Sequence, residues 1–256
     1  MTEGSKHVDN SPQEPRELRE YWHIDQSQGG HYTIPGTVDG ERNITALGST
    51  GCRTCVCVFV ELSNRTCFAA HISAIDHAAD VRAVEDPTHE QRVKDNRARA
   101  VPDASKAQEL MEMILKNLRE IPSLSHKVRD GKFVGNVGRA IVVCPMKIWG
   151  GERAHGSYII QALEQFFGVS MGNRRGHGFI AIPGADGWSL QVLGWKNGYP
   201  GPSEDDTDFY DWRHHEETPE EYGWTRSHSC EDPPLGGQWA FAFARAGMWV
   251  HYYDRD

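Results

Sequence analysis

No stretch of this 256-residue chain approaches the roughly 20 consecutive apolar residues that span a bilayer, and its first 30 residues lack the apolar segment of a secretory leader. A basic stripe is missing too. Lys and Arg number 27 against 36 Asp and Glu, a formal charge of −9, whereas affinity for a phosphate backbone rests on concentrated cations. Neither membrane nor nucleic acid is an expected partner, and the predicted compartment is the cytoplasm, with the nucleus as a second option. Internal repeats are absent. The glycine-rich stretch Gly131–Gly138 lacks the Gly-Lys-Ser/Thr ending of a phosphate loop and precedes a strand pattern, so it reads as a turn.

Cysteine is sparse. The six residues Cys52, Cys55, Cys57, Cys67, Cys144 and Cys230, without secretory context, predict reduced thiols and no disulfide framework. The sequons at Asn43 and Asn64 lose their meaning for the same reason.

The chain is long enough to bury a full core, and its length fits one domain with insertions. Residues 1–30 combine charge, Pro and Gly around a lone Tyr21-Trp22 pair and are expected to form a disordered tail, leaving 31–256 as the catalytic domain. Residues 196–237, dense in Asp, Glu, Pro, Gly, Trp and His, read as a long insertion, and the polar stretch 74–102 as a connection.

Two segments have helical periodicity. Leu110, Met111, Ile114, Leu115 and Leu118 share a face between Ser105, a capping residue with Gln108 at box spacing, and the stop at Pro122. Ile159, Leu163, Phe166 and Phe167 form a second stripe, ended by Gly168. Residues 139–145 read as a buried strand, 177–195 as two strands joined by the turn Pro183–Gly187, and 238–253 as a closing hairpin.

Residues 44–73, ITALGSTGCRTCVCVFVELSNRTCFAAHIS, carry the chemistry. RTCVCVFVE is rich in β-branched and aromatic positions, LSNRT supplies turn formers, and a second apolar run follows. With the turn near Ser63 or Asn64, antiparallel pairing sets His71 opposite a residue between about Cys55 and Val58. A thiol opening one strand and an imidazole closing its partner are the pair that thiolate attack on a carbonyl requires.

Leu47-Gly48-Ser49, then Thr54-Cys55, an apolar strand and His71 resemble the protein N-terminal asparagine amidohydrolase family. The same residues resemble, more loosely, the chemotaxis glutamine deamidase CheD and the cytotoxic necrotizing factor toxins. The resemblance implies a CheD-like α/β (α+β) layered sandwich with a mainly antiparallel sheet and two cover helices. It implies deamidation of a side-chain carboxamide, with Cys55 as nucleophile, His71 as general base, and Thr45, or failing that Ser49, as the group that orients the imidazole. Backbone and side-chain donors around Gly48, Ser49 and Thr54 would bind substrate and stabilise the oxyanion. The implied partner is a protein or peptide with a free N-terminus, in the N-degron pathway, and no cofactor or metal is required.

Other readings compete with this one. Protein glutamine deamidation is sibling chemistry. Cys52-x2-Cys55-x-Cys57 with Cys67-x3-His71 contains zinc-ligand residue types, which would make the chain a metal-stabilised interaction module, and a metal-free module is the plainer variant. His214, His215, His228 and Cys230 are a second, less patterned set of ligand types.

Overall fold

The structure is a computed structural model, and the residues it describes are 18–26, 28–38, 42–52, 55–73, 104–144, 155–199, 214–227 and 238–240. Strands β1 (Arg19–His23), β2 (Gln28–Thr33), β3 (Gly36–Val38), β4 (Arg42–Ile44), β5 (Leu47–Ser49), β6 (Cys55–Glu61) and β7 (Thr66–Ser73) come first. Helix α1 (Ala104–Glu120), the single turn α2 (Pro122–Ser125), the small hairpin β8 (Val128–Arg129) and β9 (Lys132–Phe133), and strand β10 (Ala140–Cys144) follow. The last elements are α3 (His155–Phe167), β11 (Gly172–Arg175), β12 (Gly178–Gly184), β13 (Gly187–Leu193), β14 (Trp224–Arg226) and β15 (Gln238–Ala240).

The result is a mixed α+β fold with mostly antiparallel sheets. A six-stranded sheet runs β11-β10-β6-β7-β2-β15 and a five-stranded sheet runs β13-β12-β5-β1-β14. Alternation along β6 explains how they stack. Val56, Val58 and Val60 join Phe68, Ala70 and Ile72 in a core with Leu110, Ile114 and Leu118 of α1 and with Ile159, Leu163 and Phe166 of α3. Cys55, Cys57 and Phe59 point the other way, into a second core with Trp22, Leu47, Phe179 and Trp188 of the five-stranded sheet. Because helices cover one face and a sheet the other, β6 is buried at every residue from Cys55 to Val60.

Both helices follow their periodicity, but Ser105, expected to cap the first, is its second residue, because α1 begins one residue earlier at Ala104. Phe166 and Phe167 meet edge-on at 4.9 Å, and Phe133 reaches Phe167 at 5.7 Å, each ring contributing about 1.5–3 kcal/mol by burial. Of the stretch Gly131–Gly138 read as a turn, Gly131 lies in the two-residue loop of β8 and β9, Lys132 and Phe133 form β9 itself, and the remainder leads to β10. In that loop Asp130 and Gly131 have φ of 50° and 75°, the left-handed pair of a two-residue hairpin.

Three expectations about chain organisation and cysteine state need correction. The polar beginning supplies β1, paired between β5 and β14, and β2, paired between β7 and β15, so order starts well before residue 30. Backbone pairing and the burial of Tyr21, Trp22 and Ile24 outweigh a polar composition. Within the expected insertion, Trp224–Arg226 adds a strand parallel to β1, and Trp195 bridges to Glu216. The third concerns cysteine oxidation and is described with the site. The connection at 74–102 and most of the closing hairpin lie outside the described residues. Among the described residues no helix is long and apolar enough to cross a membrane.

Candidate functional site

The hairpin β6–β7 is built by its turn. Ser63 Oγ accepts hydrogen bonds from the backbone N–H groups of Arg65 (3.2 Å) and Thr66 (3.0 Å), which closes the loop and fixes the register. Glu61 then pairs with Cys67, Cys57 with His71, and Cys55 with Ser73. Directly paired residues project to the same side of a sheet, so His71 shares a face with Cys57 and, one diagonal step away, with Cys55. Cys55 opens β6 and Ser73 closes β7, so the site sits at one end of the six-stranded sheet.

The facing sheet supplies the imidazole's partner. Ser49, the last residue of β5 and fully buried, places its Oγ 2.8 Å from His71 Nδ1 and 2.7 Å from the Ile24 carbonyl oxygen. A serine has one proton to donate, and the carbonyl can only accept. Ser49 therefore donates to Ile24, and His71 Nδ1–H donates to Ser49. That assigns the tautomer: Nε2 carries the lone pair. Nε2 is itself buried and, among the described residues, has no hydrogen-bond partner. Burial pushes the His71 pKa down to about 4, so the ring is neutral near pH 7.

Thr45, expected to orient the imidazole, is exposed in the link between β4 and β5. The orienting position belongs to Ser49, because residues 47 and 49 share the inward face of β5 while Thr45 precedes the strand. Gly48 has a packing role. It pairs with His23 on one side and Ile180 on the other, and a Cβ there would run into the Phe179 carbonyl oxygen. Thr54 lies outside the described residues.

The cysteines divide sharply. Cys52 and Cys57 are disulfide-bonded, with Cα atoms 6.4 Å apart, contrary to the expectation that all thiols are reduced. A long-range contact accompanies it: the Cys52 N–H donates to the His177 carbonyl at 2.8 Å, which seats Cys52 near the start of β6. Cys67 is fully buried, and burial together with the Glu61 carboxylate raises its thiol pKa well above the ordinary value. Burial raises Cys144 as well, on the helix-covered face of the sheet. Cys55 is buried, stands outside the disulfide, and shares the His71 face.

The Cys52 and Cys57 sulfurs and an imidazole nitrogen of His71 all lie within 4.8 Å of one another. They are the part of the expected zinc-type set that the fold assembles. Of the second set, His214 is exposed and His215 stacks on Tyr199 at 4.4 Å, while His228 and Cys230 lie outside the described residues. Acidic side chains of the insertion have structural tasks: Glu217 accepts from the Gly194 N–H at 2.8 Å, and Glu221 pairs with Lys196.

His177 escaped the sequence reading. It is buried beside Trp195 (ring centroids 5.1 Å apart), and its Nδ1 accepts from the Gly51 N–H at 3.4 Å. The signal lay in the glycines around it: a Cβ at Gly178 would overlap the Ser49 carbonyl oxygen and lie 2.8 Å from Thr50 Cα. Close approach of the 177–178 segment is thus what holds the Ser49–Cys52 loop against the site.

No family model, no curated protein and no solved structure matches this chain.

Proposed function

We propose that the protein is a cysteine-dependent amidohydrolase that deamidates a side-chain carboxamide, with the N-terminal asparagine of a protein or peptide as the favoured substrate. The observation that carries this reading is the buried Ser49–His71 pair, which leaves a neutral imidazole, its Nε2 lone pair unpaired among the described residues, on the same sheet face as Cys55. A third group that fixes the tautomer, a base and a nucleophile are the parts of a catalytic triad. Elimination supports Cys55 as nucleophile. Cys52 and Cys57 are joined, Cys67 pairs with Glu61 at the far, turn end of the hairpin, and Cys144 faces the helices on the opposite side of the sheet.

In the proposed mechanism His71 Nε2 takes the Cys55 proton and the sulfur attacks the carboxamide carbon, forming the C–S bond. The tetrahedral intermediate collapses as His71 returns that proton to the departing nitrogen, releasing ammonia and leaving a thioester. Water, deprotonated by His71, then cleaves the C–S bond. The product is a carboxylate, and Cys55 recovers its proton. Ser49 keeps the imidazole aligned through both halves, and the neutral ring lets it begin as the base.

Ammonia release from short peptides with N-terminal Asn, N-terminal Gln or internal Gln tests this directly. Release from the N-terminal Asn peptide, lost in Cys55→Ala and in His71→Ala, is the expected result. Release from internal Gln alone would move the assignment to protein glutamine deamidation. Silence on all three peptides from folded, reduced protein, or full activity in Cys55→Ala, would overturn it.

A further inference from the structure

We propose that, once the Cys52–Cys57 disulfide is reduced, Cys52, Cys57 and His71 form a zinc site, so that this cluster alternates between a disulfide and a metal–thiolate state. The three ligand atoms already lie within 4.8 Å of one another. Tetrahedral zinc, with Zn–S near 2.3 Å and Zn–N near 2.0–2.1 Å, spaces neighbouring ligand atoms by about 3.3–3.8 Å. The two sulfurs, bonded to each other in the disulfide, part to that spacing on reduction, and the imidazole nitrogen already lies within reach of both.

The histidine is the independent indication. His71 is 3% exposed, its Nε2 has no partner among the described residues, and its Nδ1–H is held by Ser49 Oγ at 2.8 Å. Histidines that ligate metals have this arrangement, with the far N–H tied to an oxygen so that the near nitrogen points its lone pair at the ion. An orphaned acceptor in a buried place is costly, and a cation satisfies it. Charge also fits. Two thiolates and one neutral imidazole around a dication make a neutral group, which the surrounding core of Trp22, Leu47 and Phe59 tolerates. Three protein ligands leave the fourth position to solvent or an added ligand.

The conversion balances. A dithiol reductant gives up two electrons and two protons and becomes a disulfide, while the Cys52–Cys57 bond breaks and two thiols form. Zinc then replaces both thiol protons, which are released, and His71 donates its lone pair without losing a proton. With Nε2 on the metal, His71 can no longer act as a base. Zinc should therefore suppress amide hydrolysis, a consequence that rests on the function proposed above, whereas zinc binding itself does not.

The test uses the full chain, reduced with a phosphine and then freed of it, or oxidised with diamide. Each sample is mixed with zinc chloride, gel-filtered and assayed by elemental analysis. About one zinc per reduced chain and none per oxidised chain is expected, with cobalt giving the intense visible bands of a tetrahedral thiolate site. Cys57→Ser should lose the metal, and Ser49→Ala should bind it about tenfold more weakly. Cys55→Ala should keep it while losing hydrolysis, which separates failure of one idea from failure of the other. Equal zinc in the reduced and oxidised chains, or full zinc retention in Cys57→Ser, would overturn the site without needing any variant to be active.

Discussion

Replacing Ser49 with Ala removes one oxygen and exposes two dependencies at once. The hydroxyl accepts from His71 Nδ1–H at 2.8 Å and donates to the Ile24 carbonyl at 2.7 Å, and both it and the ring are buried. Without it a buried N–H loses its acceptor and a carbonyl loses a donor. Each orphaned group costs about 1–3 kcal/mol, with the carbonyl toward the lower end because it has a second lone pair. The expected destabilisation is about 3 kcal/mol, visible as a lower urea midpoint at unchanged slope. Long-range nitrogen–proton NMR should also show that His71 no longer holds its proton exclusively on Nδ1. Thr45→Ala is the contrast. That residue is exposed, so its loss should stay within about 0.5 kcal/mol with the tautomer intact. A Ser49→Ala chain as stable as wild type, with the His71 proton still on Nδ1, would refute the relay. A Thr45→Ala chain with a disturbed tautomer would return that residue to the orienting role.

Because burial lowers the His71 pKa from 6.5 to about 4, the unfolded chain binds the extra proton more readily than the folded one. This stabilising contribution is complete above pH 6.5 and is lost progressively as pH falls to about 4, for a total of roughly 3 kcal/mol. Urea unfolding across that window, in wild type and His71→Gln, should show the extra slope in wild type alone; equal slopes would refute it. Gly178→Ala forces a Cβ against the Ser49 carbonyl oxygen and should cost about 3 kcal/mol by overpacking. Gly51→Ala has open space but φ of 75°, so about 1–2 kcal/mol is expected, and a thermal shift in Gly51→Ala as large as in Gly178→Ala would count against the packing argument.

What the sequence made legible was periodicity and register. The two helical stripes bury as read, and the turn residues Ser63 and Asn64 were enough to place His71 opposite Cys57, inside the predicted span. What it concealed were relations between sheets. Ser49 and Thr45 are both small hydroxyl residues near the cysteines. Only the pairing of β5 between β1 and β12 sets one facing His71 and leaves the other exposed. The Cys52–Cys57 bond was hidden for the same reason, since the contact that accompanies it is a hydrogen bond from Cys52 to His177, 125 residues away in sequence. The N-terminal strands failed composition because sheet pairing recruits backbone, which is the same in a polar segment as in an apolar one. His71 therefore answers to three distant segments at once: its hairpin partner Cys57, the β5 serine, and the Cys52 loop held by the 177–178 segment. A change at Gly178 should consequently disturb imidazole orientation and thiol pairing together, although Gly178 belongs to neither.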